Sequence, residues 1–178
     1  MLSAVVTTFN NAATLEQCLA SLAFCDDLLV LDSDSSDGTR EIAMRRGARI
    51  FVEPFKGYSL QKQSAIDKAQ HDWVLLLDAD EFLVAGTAEK IRAELQAPRA
   101  EGYRLPRQEW LFWRWPHPRT RATWQLRLFR RSVGAMNTVP VHAAPEVVGR
   151  VLDLDAPFRH FGEAEIAVRV HKVNQYSS

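Results

Sequence analysis

The sequence predicts an α/β protein built on an open, mostly parallel sheet with helices on both faces. Three observations lead there. Short apolar runs, too continuous for strands with one wet face, alternate through residue 97 with segments whose apolar residues recur at helical spacing. Each of the longer runs ends in a cluster of Thr, Ser, Asn or Asp, where ligands bind in such sheets. With 178 residues, 47% hydrophobic and 25% charged, the chain can form one sizeable core and is short for two.

The elements follow in order. "LSAVVTT" reads as a buried strand, and "NNAATLEQCLASLAF" as a helix with Leu15, Cys18, Leu19 and Leu22 on one stripe. "LLVLD" is the second strand. A polar turn and the short helix "GTREIAMRRG" follow, with Gly47 placed to stop it. "RIFV" makes a third strand, "GYSLQKQSAIDKAQ" another helix, and "WVLLL" the fourth strand. "AEKIRAEL" is a helix that ends before Pro98. From Gly102 the character changes to strand-like pieces, "GYRLPR", "WQLRLFR" and "RVLDL", around a loop dense in Trp, Pro and Arg. No linker composition separates the halves, so residues 1–97 and 98–178 are expected to form one domain, the second half folded onto the sheet of the first.

Composition narrows the function classes. Lys plus Arg equal Asp plus Glu at 22 each, so no global field points to nucleic acid. Cys18 and Cys25 have neither metal-ligand spacing nor a disulfide pattern, which fits a reducing compartment. Met1 runs directly into a strand-like segment rather than a signal peptide, and no apolar run approaches the roughly 20 residues of a membrane span. A soluble protein is expected, or at most one attached peripherally to a membrane surface.

"WVLLLDADEFL" drives a buried strand into three acids, and a carboxylate beside apolar residues is costly unless something positive neutralises it. In an extended segment Asp78 and Asp80 would face one point, a donor set suited to Mg²⁺ or Mn²⁺. The bland reading is a solvated strand end. "LDSDSSDGT" offers Asp32 to a base or ribose, or a plain turn into a helix N-terminus, with Asp37 and Thr39 structural. No G-x-G-x-x-G follows the first strand, so a dinucleotide fingerprint is missing.

"AVVTTFNNAATLEQCLASL", "LVLDSDSSDGTREIA", "GYSLQKQSAIDKAQHDWVLLLDADE" and "RLFRR" together resemble the family 2 glycosyltransferases, inverting enzymes of the A-type fold. The resemblance is greatest to the small bacterial branch that adds glucose or a related sugar to the lipopolysaccharide core. It implies a nucleotide-sugar donor, with Thr8, Asn10, Asp32, Lys62 and Asp78 at the nucleotide-sugar and Asp78 and Asp80 at the cation. His142 joins the candidate metal ligands, and His160 resembles a family histidine near the site. Gln63 stands where relatives often have Asn.

An inverting transfer needs a base for the acceptor hydroxyl. Relatives commonly show Val-His-Glu after the arginine motif, whereas "VPVHAAPEV" places Ala143 at the acid's position. Glu146 becomes the expected base, with Asp80 the other catalytic candidate and Glu109, Glu163 and Glu165 in reserve. Trp113, Trp115 and Arg119 are expected at the acceptor, since indoles stack on sugars and arginines pair with phosphates. The segment Lys172, Asn174, Tyr176 resembles a family motif that relatives continue into a basic, membrane-associated portion.

These readings converge on a metal-dependent inverting transferase that moves a hexose, most simply from a UDP-sugar, to a glycan or lipid-linked acceptor in bacterial surface-polysaccharide or lipopolysaccharide core synthesis. Two rivals stay open: a non-catalytic nucleotide-sugar binder, and a sugar nucleotidyltransferase, whose glycine-rich basic loop "TTFNNAATLEQ" does not provide.

Overall fold

The computed structural model describes residues 1–109, 123–138 and 143–161. Its first half alternates strand and helix: β1 (Leu2–Thr8), α1 (Leu15–Ser21), β2 (Asp27–Asp32), α2 (Thr39–Arg45), β3 (Arg49–Val52), α3 (Tyr58–Asp67) and β4 (Trp73–Asp78). After β5 (Glu81–Leu83) and α4 (Thr87–Gln96) come β6 (Gly102–Glu109), β7 (Thr123–Arg130), β8 (Gly134–Met136), β9 (Pro145–Val147), β10 (Val151–Asp153) and β11 (Phe158–His160).

Nine of these strands form one sheet in the order β3-β2-β1-β4-β7-β6-β11-β5, with β10 beside β6. The strands β3, β2, β1 and β4 are parallel, and β7 then joins β4 antiparallel, with Trp73 opposite Arg130. The strand-like pieces of the second half therefore extend the sheet begun by the first. β8 and β9 pair as a separate ribbon.

β1 shows why the strands lack simple alternation. Leu2, Ala4 and Val6 pack on the side of α1, whereas Val5 faces Ala65 and Ile66 of α3. Both faces of the strand are covered, so both sets of positions are apolar. Helices lie on both sides of the sheet as the sequence predicts. At the other end of the sheet Asp27 is buried, yet it accepts Arg49 Nε at 2.8 Å and Ser3 Oγ at 2.7 Å, which ties β2 to β1 and β3. Among the described residues no helix is long and apolar enough to cross a membrane.

Candidate active site

The polar ends of β1, β2 and β4 open on a cleft of about 460 Å³. Thr7, Thr8 and Phe9, then Phe55, Tyr58 and Lys62, and finally Asp78, Asp80 and His160 line it. A second cleft of about 510 Å³ shares Tyr58, Lys62 and Asp78 as a common wall. Its other sides are Arg107 of β6, Trp124 to Arg127 of β7 and Ala143 to Pro145.

The first wall is a stapled loop. Asn10 adopts φ +52°, a left-handed conformation that Asn tolerates. Its N–H donates to Ser35 Oγ at 2.8 Å, and its side-chain oxygen accepts Ser36 N–H at 2.9 Å. Asn11 N–H donates to Thr39 Oγ1, and Ala12 N–H to Asp37, so the loop after β1 is fixed to the turn after β2. Asp37 and Thr39 are structural, as expected. Asn10 and Asp32, the expected ligand contacts, do not line this cleft. Asn10 is consumed by the staple, and Asp32 is fully buried, accepting Ser35 N–H at 2.9 Å and the Ser35 hydroxyl. Ser33, the first residue after β2, lines the cleft instead.

The strand β4 stops at Asp78, and Ala79 and Asp80 form a turn rather than the extended segment predicted. The turn still brings both aspartates to one cleft. Lys62 Nζ lies 2.6 Å from one Asp78 oxygen, and Arg127 Nη2 lies 3.5 Å from the other. Burial alone would raise the Asp78 pKa, but Lys62 and Arg127 hold it far below the ordinary carboxylate range. Glu81, 1% exposed, pairs with Arg127 at 2.6 Å and accepts the Asp78 N–H at 3.1 Å. Its burial outweighs the guanidinium, and its pKa is raised. Asp80 accepts from His160 Nε2 at 3.1 Å, and Glu109 from Nδ1 at 2.9 Å. Burial opposes a charge on His160, and the nearby Arg107 adds to that, yet the two carboxylates outweigh both and raise its pKa to about 9. Arg107 Nη2 lies 2.6 Å from the same Nδ1 and its Nε 2.8 Å from the other Glu109 oxygen, so Nδ1 donates to Glu109 or accepts from Arg107 according to the tautomer.

Four acids, Asp78, Asp80, Glu81 and Glu109, are thus interleaved with Lys62, Arg107, Arg127 and His160. Sequence reasoning placed Lys62 here and missed the two arginines. Arg127 owes its position to a bulge: Leu128 stands opposite Tyr103 and Leu126 opposite Arg104, leaving Arg127 as the extra residue.

Other expectations fall elsewhere. Glu146 is exposed, and its strand neighbours Pro145 and Val147 are the ones turned inward, to the second cleft and the core respectively. Period-two alternation points Glu146 away from both clefts, which counts against it as the base. Ala143 does line the second cleft. Gln63 accepts Met136 N–H at 2.8 Å and donates to Asp67 at 2.7 Å, a fastening of α3 to β8. His142, Trp113, Trp115, Arg119, Glu163 and Glu165 lie outside the described residues, as does the tail with Lys172, Asn174 and Tyr176.

The oxygen donors fit a hard divalent cation. Two carboxylates share one cleft, each with about a third of its side chain exposed. Among the described residues no group of three His, Cys, Asp or Glu is placed to hold a metal ion, so the protein would contribute two aspartates and leave other positions to ligand oxygens and water.

Residues 3–146 match the Glycosyl transferase family 2 profile. The chain belongs to that family. It is 30% identical, over 99% of its own length, to the lipopolysaccharide core biosynthesis glycosyltransferase LpsC of Rhizobium meliloti, and covers 69% of that protein. Another relative, an uncharacterized glycosyltransferase of Rickettsia bellii, is 41% identical over 46% of the chain, which spans 28% of that protein's length. Among solved structures the family 2 chain is similar to a fragment of S. aureus TarS in complex with UDP, with a TM-score of 0.53 and 21% identity over 67% of this chain and 38% of the other. It is also similar to glucosyl-3-phosphoglycerate synthase from Mycobacterium tuberculosis in complex with Mn²⁺, UDP and glucosyl-3-phosphoglycerate, with a TM-score of 0.51 and 22% identity over 60% and 44%. These likenesses establish the glycosyltransferase A-type fold.

Proposed function

We propose that this family 2 chain transfers a hexose, with inversion, from a UDP-sugar to a glycan or lipid-linked acceptor of the bacterial cell envelope. The observation that carries the reading is the convergence of Asp78, Asp80 and Lys62 on one cleft at the carboxyl ends of β1 and β4. The LpsC relative supports the cell-envelope assignment.

In this reading Thr8 and Ser33 contact the nucleoside end, and the exposed rings of Phe9 and Phe55 offer faces to the base. Lys62 swings from Asp78 to the diphosphate. Asp78 and Asp80 would hold a divalent cation, which would supply positive charge for the departing diphosphate. His160 keeps Asp80 turned toward the cleft through the 3.1 Å contact, and Glu109 fixes the ring from behind. The acceptor enters through the second cleft, beyond the shared wall.

Incubation with UDP-glucose and a core-type acceptor should give a glycoside of inverted anomeric configuration. Asp80→Ala or a chelator should reduce the rate by at least about a hundredfold, the size of losses seen when a charge-stabilising group is removed. Unchanged turnover under both would remove the metal assignment. A second reading, a nucleotide-sugar binder without transfer, is favoured by Ala143 and by Asp78 being the one carboxylate that lines the second cleft among the described residues. It predicts UDP binding with neither transfer nor donor hydrolysis.

A further inference from the structure

The second cleft is unusually rich in donors. Lys62, Arg107 and Arg127 line it, and none of these side chains can accept a hydrogen bond. The carboxylate in the lining, Asp78, already has one oxygen on Lys62 and the other facing Arg127. Glu81 and Glu109, which balance the guanidiniums, do not line the cleft. A neutral sugar presents hydroxyls that both donate and accept; among the described residues the acceptors on Tyr58, Asp78 and Gln125 stand against three cationic side chains that only donate. An oxyanion, which only accepts, matches those donors.

We propose that the second cleft seats an acceptor sugar through an anionic substituent, a carboxylate or a phosphate, held by Arg107 and Arg127 with the sugar ring against Trp124. The proposal rests on the transferase reading and names the acceptor class for it. Arg127 is 6% exposed, and its buried Nε has no hydrogen-bond partner among the described residues, so the acids around it do not use all of its donors. Planar guanidiniums pair with carboxylates and phosphates in two-point contacts that ammonium groups do not make. Trp124 sits on the same strand and is 39% exposed, a large indole left open beside the cations. Strict alternation would put residues 124 and 127 on opposite faces of β7. The bulge at Arg127 brings them to one cleft. The volume of about 510 Å³ lies in the range of sites for small ligands.

The test is binding of methyl glucoside, methyl glucuronide, glucose 6-phosphate and inorganic phosphate to the full chain by calorimetry, each with and without saturating UDP. UDP keeps phosphate groups out of the donor cleft. At least one charged sugar should bind about tenfold more tightly than methyl glucoside, with UDP present, and the one that does identifies the anion. Arg107→Gln should erase that advantage, and Trp124→Ala should reduce the charged sugar to the affinity of inorganic phosphate. Equal affinity for charged and neutral sugars overturns the proposal, as does an advantage that survives Arg107→Gln, or phosphate alone matching the charged sugars. Failure of UDP itself to bind would instead remove the transferase reading, while the sugar titrations without UDP still decide the cleft's preference.

Discussion

Lys62 Nζ and an Asp78 carboxylate oxygen lie 2.6 Å apart on the wall that divides the two clefts. The pair links α3 to the end of β4, and each partner is also a ligand candidate. Lys62→Met leaves Asp78 with the more distant Arg127 and His160, and because Asp78 is a third exposed, unfolding in urea should show a loss of about 1–2 kcal/mol, below that of a fully buried pair. Asp78→Asn combined with Lys62→Met should lose less than the sum of the single changes.

Arg127 neutralises Glu81, which is buried with it. Arg127→Met should cost about 3–5 kcal/mol at neutral pH because the ionised Glu81 loses its partner. The Glu81 pKa is already raised by burial and rises further in the variant. A carboxyl whose folded value exceeds its unfolded value destabilises as pH climbs between the two, so the variant should regain stability as the pH is lowered toward the ordinary carboxyl range. Thermal melts at several pH values check the sign, and Glu81→Gln in the same background should restore part of the loss.

Glu53 fixes the loop that carries Phe55 and Tyr58. Lys68 at 2.6 Å, Ser64 at 2.8 Å and Lys56 at 3.1 Å converge on it and lower its pKa from 4.5 to about 2. Its stabilisation is fully present above 4.5 and fades as pH falls through about 2. Glu53→Gln should flatten that acid limb of the stability curve and weaken UDP binding several-fold, measured by acid titration and calorimetry.

Gly57 precedes α3 with φ +96° and ψ 154°, a region open to glycine. A Cβ there would meet nothing within 4 Å, so Gly57→Ala tests the backbone alone. A loss of about 1–3 kcal/mol is expected, together with altered occupancy of both clefts, because Tyr58 follows directly and lines each.

Thr8, Asp78 and Asp80 were legible from pattern because each lies at or just past the end of an apolar strand, whereas Lys62, inside α3, was placed only by the family resemblance. Asp32 looked equivalent to Asp78 by the same rule. The difference lies in Ser35, three residues on, which folds back and satisfies the Asp32 carboxylate. Glu146 looked available for the same reason that Ala143 looked deficient, by position along the chain, and β-strand alternation turned it outward.

Local periodicity and turn chemistry by themselves determined the order of strands and helices in the first half, the covering of both sheet faces, and the gathering of acids at one edge, because those properties depend on neighbours within a few residues. The partners of the acids were decided by tertiary structure alone. Arg127 is 49 residues from Asp78 along the chain, reaching it because β7 joins β4 antiparallel and carries a bulge, and His160 reaches Asp80 because β11 pairs with both β5 and β6. Electrostatic neutralisation needs charges a few ångströms apart in space, and sequence spacing carries no record of that distance once the sheet has brought remote strands together.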